Sequence, residues 1–205
     1  YATLRIAQGG HVAPSALVGS WAGAFGQTQF MPTTYERLAI DFDGDGKRDL
    51  TTSIPDALAS TAHFLQKAGW RTGMPWGIEV KLPTGFSTDN EGRRTKRPAS
   101  VWSERGVRTL DGRDPVQVWG ADTPLGLMVP GQRAVGAQPE LGTGPAFLVS
   151  RNFDALFSYN AAESYGLAIA HLSDRLLGKP PFAAPWPTDD AGLSRAQRRE
   201  LQTLL

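Results

Sequence analysis

The spacing of apolar residues along the chain shifts from helical to extended and back again. Tyr1-Ala-Thr-Leu-Arg-Ile-Ala-Gln8 reads as the end of a helix stopped by Gly9-Gly10. Tyr35, Leu38 and Ile40 predict a second short helix, with Thr33 or Thr34 as its cap. Ser53-Ile-Pro-Asp opens a clear one, with a Ser cap, Pro in the first turn and Asp56 near the positive helix end. Leu58, Thr61, Ala62 and Leu65 form its predicted buried face, and Gly69 closes it.

From Gly73 to Ser150 the helical period is lost. Ile78-Glu-Val-Lys-Leu82 alternates, Val116-Gln-Val-Trp119 is short and β-prone, and Ala146-Phe-Leu-Val149 is continuously apolar. A short helix is expected near Ser100 to Arg105. Helical character resumes at Phe153 to Leu156 and again at Asn160-Ala-Ala-Glu163, which has the form of a capping box. Leu167, Ala170, Leu172 and Leu176 give the following stripe, ended by Gly178 and Pro180-Pro181. The pattern predicts an α+β, mostly α chain. Helical parts fall at 1–72 and 151–178, a β-rich subdomain at 73–150, a Pro- and Ala-rich linker at 179–192 and a new helix from 193 to 205.

Composition narrows the function. Among 205 residues, 21 basic side chains balance 20 acidic ones, so bulk charge recruits no nucleic acid. The basic stretch Arg93-Arg-Thr-Lys-Arg97 reads as a solvated loop, with contact to an anionic wall polymer as the sharper alternative. No cysteine is present, which excludes disulfides, thiolate metal sites and a thiol nucleophile. No apolar run reaches the length of a membrane span. His11, His63 and His171 lack the spacing of a metal site or triad, and the six tryptophans are assigned to packing.

Chemistry concentrates in two places. In Gly19-Ser-Trp-Ala-Gly-Ala-Phe-Gly-Gln-Thr-Gln-Phe-Met-Pro-Thr-Thr-Tyr35, small residues let backbone approach a ligand. Gln27 and Gln29 offer amides to uncharged polar partners, while Phe30 and Met31 offer apolar surface to a ring. Lacking Lys or Arg among its glycines, the stretch suits sugars better than phosphates. A tight corner between helices is the bland alternative. In the second place, Asp41-Phe-Asp-Gly-Asp-Gly-Lys47 sets carboxylates at alternate positions with glycine sixth, the first half of an EF-hand loop. Asp41, Asp43, Asp45 and the Lys47 carbonyl are its candidate Ca2+ ligands. Thr52 stands where the closing Glu would be, so Asp56 is the candidate closing carboxylate, with Asp49 a lesser one. The bland reading is a polar Asp/Gly turn.

The Ser20–Tyr35 stretch closely resembles the signature of the lytic murein transglycosylases of the membrane-bound B type. Phe157-Ser-Tyr-Asn-Ala-Ala-Glu-Ser-Tyr165 resembles the family's second motif. The resemblance implies a lysozyme-like fold and cleavage of the MurNAc–GlcNAc bond of peptidoglycan, leaving 1,6-anhydromuramic ends. It implies that Ser20, Gln29, Met31, Tyr159, Asn160 and Tyr165 face the glycan, although Asn160 also reads as a cap and Tyr165 as packing. The family's lengthened EF-hand-like loop supports Asp56. Its single acid/base Glu lies well before the glycine-rich motif. None of the nineteen residues preceding Ser20 is acidic, so that Glu has no match here. Glu36, Glu79, Glu91, Glu104, Glu140, Glu163 and Glu200 sit where the resemblance supports none. Residues 193–205 resemble the start of an appended peptidoglycan-binding module, and the chain is expected to begin and end within larger units. The implied setting is a monomer in the periplasm of a Gram-negative bacterium, with room for an outer-membrane tether upstream. Peptidoglycan strands are the implied partner. A non-catalytic wall-binding scaffold, a water-using muramidase and a calcium sensor are the alternatives, the last disfavoured by a single hand and only three Met.

Overall fold

A computed structural model of the chain describes residues 1–130, 144–186 and 193–204. Glu140 and the linker residues 187–192 lie outside them. The chain forms two units, Tyr1–Trp76 with Arg151–Ser173, and Gly77–Ser150 with Asp174–Leu205. Helices and an antiparallel sheet give an α+β chain.

The first unit is helical. It contains α1 (Ala2–Gln8), a 3-10 turn (Pro14–Ala16), α2 (Pro32–Leu38), α3 (Ile54–Lys67), α6 (Arg151–Tyr159) and most of α7 (Glu163–Leu176). Its core gathers Ile6, Val12, Phe25, Phe30, Tyr35, Leu38, Leu50 and Ala57. Helix α2 starts at Pro32 directly after Met31, so neither Thr33 nor Thr34 caps it. Pro at the first helical position presets the backbone and forgoes an N–H that would have had no partner.

Helix α3 corrects the sequence reading more sharply. Ser53 caps it as expected, accepting the Asp56 N–H. Its buried residues, however, are Asp56, Ala57 and Ser60, while Leu58 is 63% exposed. Polar groups set this rotation. Asp56 takes the amides of Phe42 and Asp49, and Ser60 Oγ accepts the Ile40 N–H at 2.9 Å. An unpaired buried amide costs more than an exposed leucine, so the helix turns its polar side inward.

Asn160 does not occupy the cap position of α7. It lies in the bend after α6, and α7 begins only at Glu163. Leu167 and Ala170 are buried as predicted, but Leu172 and Leu176 are exposed.

The second unit carries the sheet, in strand order β2-β4-β5-β1-β3, antiparallel at every pairing. Its strands are β1 (Gly77–Lys81), β2 (Arg97–Pro98), β3 (Arg108–Thr109), β4 (Pro124–Met128) and β5 (Ala146–Val149). Central β5 is buried throughout, which is why it reads as an unbroken apolar run. Helix α4 (Ala99–Glu104) buries Trp102, whose indole N–H donates to the Leu125 carbonyl at 3.0 Å. The β-prone Val116–Trp119 is instead helix α5 (Pro115–Trp119). Asp114 and Gln117 form a capping box around Pro115, and this local chemistry outweighs the propensity of two valines.

Two further expectations fail in this unit. The basic stretch is mostly engaged rather than solvated: Arg93 is buried, Lys96 donates to the Val149 carbonyl at 3.1 Å, and Arg97 meets Glu91 at 3.2 Å. The start of the supposed linker is docked. Both Glu79 carboxylate oxygens accept amides, from Ala183 and Ala184, each at 2.8 Å. Phe182 meets Phe147 edge-on at 4.9 Å and stacks with Trp186 at 6.1 Å. Helix α8 (Arg195–Leu204) follows, with no buried residue. Among the described residues no helix is long and apolar enough to cross a membrane.

In the first unit, fully buried Asn152 accepts the Arg71 N–H at 2.7 Å and donates to the carbonyls of Arg71 (2.9 Å) and Met74 (2.6 Å). Asn152→Ala strips these buried backbone groups of their partner. Urea denaturation is expected to show a loss of about 2–4 kcal/mol.

Candidate functional site

The glycine-rich stretch folds as a compact hairpin. Phe25 and Phe30 exchange backbone hydrogen bonds at 3.0 Å in both directions, and Gly19 pairs with Phe25. Ser20 organises the preceding turn. Its N–H donates to the Ala24 carbonyl, its carbonyl accepts from Gly23, and its hydroxyl accepts the Ala24 N–H at 3.2 Å. Trp21, assigned to packing from the sequence, is fully exposed in that turn.

At the hairpin's tip the backbone adopts positive φ at Gly26 (75°) and at Gln29 (53°). Gly26 has no alternative, since a Cβ there would lie 2.7 Å from the Leu50 carbonyl oxygen. Gln29 accepts the left-handed region because its side-chain amide donates to the Gly26 carbonyl at 2.9 Å, closing the turn on itself. Met31, 43% exposed, then leads into α2.

Tyr159, at the end of α6, supports the hairpin. Its hydroxyl donates to the Thr28 carbonyl, and its ring meets Phe30 (5.8 Å) and Phe64 (4.8 Å) edge-on. Burial pushes this hydroxyl above its ordinary pKa, against hydrogen bonds to Thr28 and Thr61 that pull it down. It remains a protonated donor at neutral pH. Asn160 follows in an exposed bend, and Tyr165 stands half-buried in the first turn of α7. Ser20, Gln29, Met31 and Tyr159 thus sit on one connected piece of structure, with Asn160 adjoining it through the chain.

The acidic loop is built on its own carboxylates. Asp41 accepts the Gly44 N–H (2.7 Å) on one oxygen and the Gly46 N–H (2.8 Å) on the other. Asp43 accepts the Ser53 hydroxyl at 3.0 Å. Asp56, fully buried, closes the loop by accepting the Phe42 and Asp49 amides, each at 2.8 Å. One donor oxygen each from Asp41, Asp43 and Asp56 lie within 4.8 Å of one another. Asp45 is outside this trio and accepts the Lys47 N–H at 2.8 Å, with Lys47 exposed in the same turn. Three converging carboxylates, one of them buried, are hard oxygen donors whose mutual repulsion a divalent cation would offset. The donor set therefore fits calcium.

Asp49 has a different task. Its carboxylate accepts the Thr51 N–H (2.7 Å), the Thr52 N–H (3.0 Å) and both threonine hydroxyls. Burial alone would raise its pKa, but these hydrogen bonds prevail and hold it at about 2. The turn they fix presents the Leu50 carbonyl to the Gln27 N–H at 2.8 Å and the Thr51 carbonyl to the Gln27 side chain at 3.2 Å. Sequence spacing gave no sign that the hairpin rests on the acidic loop.

Three of the described glutamates carry structural loads. Glu36 pairs with Arg5 at 2.6 Å, Glu79 holds the Ala183–Ala184 amides, and Glu91 meets Arg97 and Arg105. Glu163 opens α7, while Glu104 and Glu200 are exposed.

The defining pattern of the transglycosylase SLT domain matches residues 1–174. The chain belongs to this family. It is 33% identical over 165 residues to membrane-bound lytic murein transglycosylase B of Escherichia coli K12, covering 78% of this chain and 39% of that protein. The crystal structure of SltB3 from Pseudomonas aeruginosa in complex with NAG-anhNAM-pentapeptide superposes with TM-score 0.85 at 44% identity, covering 98% of this chain and 51% of that one. The Escherichia coli Slt35 structure in complex with calcium gives TM-score 0.65 at 26% identity, covering 86% and 51%. This chain spans about half the length of the relatives it matches, or less.

Asp49 supplies a test of the loop. Its folded pKa of about 2 lies below the roughly 3.9 of an unfolded Asp, so its contribution is complete above that value and fades as pH falls toward 2. Asp49→Asn should lower the melting temperature at pH 7 and reduce its dependence on pH between about 5 and 2. Paired melts across that range check both effects.

Proposed function

We propose that this chain is part of a lytic transglycosylase that binds peptidoglycan strands and cleaves the MurNAc–GlcNAc bond with formation of 1,6-anhydromuramic ends. The observation that carries this reading is the glycine-rich hairpin, held in a family whose relative SltB3 was crystallised with a NAG-anhNAM-pentapeptide. Ser20, Gln29, Met31, Tyr159, Asn160 and Tyr165 are the proposed glycan-facing residues. Gln29 supplies an amide for hydroxyl or acetamido groups, Met31 an apolar face, and Tyr159 the support that keeps the hairpin in place. Residues 1–72 and 151–178 form the proposed lysozyme-like core, interrupted by the β-rich part at 73–150.

Calcium is proposed at the acidic loop, held by Asp41, Asp43 and Asp56, with Asp45 and the Lys47 carbonyl completing an EF-hand-like set. Bound there, it would supply positive charge to a carboxylate cluster and so stabilise the loop. The proposed setting is the periplasm of a Gram-negative bacterium, soluble or membrane-tethered, in keeping with the relatives from Escherichia coli and Pseudomonas aeruginosa.

Wall binding without cleavage is the second reading, and one observation favours it. Glu36, Glu79 and Glu91 are all committed to structural contacts. Digestion of purified peptidoglycan by the full-length protein separates the readings. Anhydromuramic products by mass spectrometry are expected; reducing muramic ends would mean hydrolysis, and retention on the wall without products would mean a scaffold.

Calcium at a hundredfold excess over its Kd should raise the melting temperature by roughly 5–10 °C. EDTA should reverse the rise, and Asp41→Asn with Asp43→Asn should abolish it. A melt indifferent to calcium would remove the ion from the proposal.

A further inference from the structure

Gln27 is the joint between the hairpin and the acidic loop. Its N–H and its side-chain amide hold the carbonyls of Leu50 and Thr51, and Leu50 is fully buried. Those carbonyls are themselves fixed, because Asp49 takes the amides and hydroxyls of Thr51 and Thr52. The Asp49 N–H is in turn held by Asp56. A continuous run of hydrogen bonds thus leads from Asp56, one of the three converging carboxylates, through Asp49 and the 49–52 turn to Gln27. Beyond Gln27 lie Gln29 and Met31. The hairpin's other support, Tyr159, reaches it at Thr28 from α6.

We infer that Gln27 is a positioning residue that couples cation binding at Asp41, Asp43 and Asp56 to glycan binding at Gln29 and Met31. The inference rests on the functional reading above. A cation drawing the three carboxylates together fixes Asp56, and through Asp49 it fixes the carbonyls that Gln27 grips. The ordering that a glycan would otherwise impose on Gln29 and Met31 is then already in place when it arrives. Linkage makes the effect reciprocal, so a bound glycan tightens calcium by the same factor. Gln27 has its backbone N–H and side-chain amide engaged by the Leu50 and Thr51 carbonyls. It acts through the placement of its neighbours.

The test uses the full-length protein with NAG-NAM-pentapeptide as probe, by calorimetry in saturating calcium and after chelation. For the wild type, calcium should tighten glycopeptide binding by about fivefold or more. In Gln27→Met, which keeps length but removes the donor, that factor should fall toward one, with the calcium affinity measured without glycan unchanged. Gln27→Glu keeps the shape but turns an oxygen toward the Thr51 carbonyl, and should lose the coupling as well. A coupling factor that survives in Gln27→Met overturns the inference, as does a Gln27→Glu variant that matches the wild type, since shape alone would then suffice. Amide hydrogen exchange at Phe25 and Phe30 reads the same joint without any sugar. Calcium should slow it in the wild type and leave it unchanged in Gln27→Met. If the glycopeptide binds no form of the protein, the functional reading falls, and the exchange data still decide the joint: slowing confined to the wild type upholds it, and equal exchange in both overturns it.

Discussion

The carboxylate of Asp56 is the constraint on which the first unit depends. It is fully buried, sits in the first turn of α3, and accepts one backbone N–H on each oxygen. A buried anion is costly unless fully partnered, and here two amides and the positive end of a fourteen-residue helix supply the compensation. Satisfying it fixes the rotation of α3, the closure of the loop from Phe42 to Asp49, and the height at which the 49–52 turn meets the hairpin. Leu58 is left in solvent as a result.

The two units solve their folding problems with different chemistry. In the first, irregular backbone is abundant, and side-chain oxygens take up its amides: Asp41, Asp49, Asp56, Ser60 and Asn152 each hold backbone groups distant from any ladder. In the second, a five-stranded sheet satisfies much of its own backbone, and charge works at the margins. Arg105 lies over the rings of Phe86 (4.4 Å) and Trp102 (5.1 Å) while meeting Glu91, whose side chain is almost wholly buried. Arginine suits that position because its weakly hydrated plane tolerates an aromatic face on one side and a carboxylate at its edge.

What the sequence made legible was local. Ser53-Ile-Pro-Asp marks a helix start through cap chemistry alone, Ala146–Val149 declares a buried strand by its lack of polar positions, and alternate Asp residues around glycine mark the acidic loop. The hairpin motif was visible as small residues beside amides. What stayed hidden depends on partners far along the chain. The inward face of α3 follows from amides at Phe42 and Asp49, and periodicity, which counts only apolar residues, favoured Leu58. Strand β4 contains glycine at 126 because a Cβ there would come within 2.5 Å of the Arg93 carbonyl oxygen, so a residue that argues against a strand is required by one. The grip of Gln27 on Leu50 and Thr51 spans more than twenty positions and has no spacing signature.

The docking of Ala183 and Ala184 on Glu79 changes the mechanics of everything downstream. A free leash would start at Gly178; with Phe182 and Trp186 stacked in series on Phe147, the chain is instead held as far as Trp186. Eight residues of slack, up to about 25 Å of extended chain, are withdrawn from its reach. Any segment carried on that stretch would search a smaller volume than on a free one, at a correspondingly higher effective concentration. One glutamate on a strand thereby keeps this segment from serving as slack.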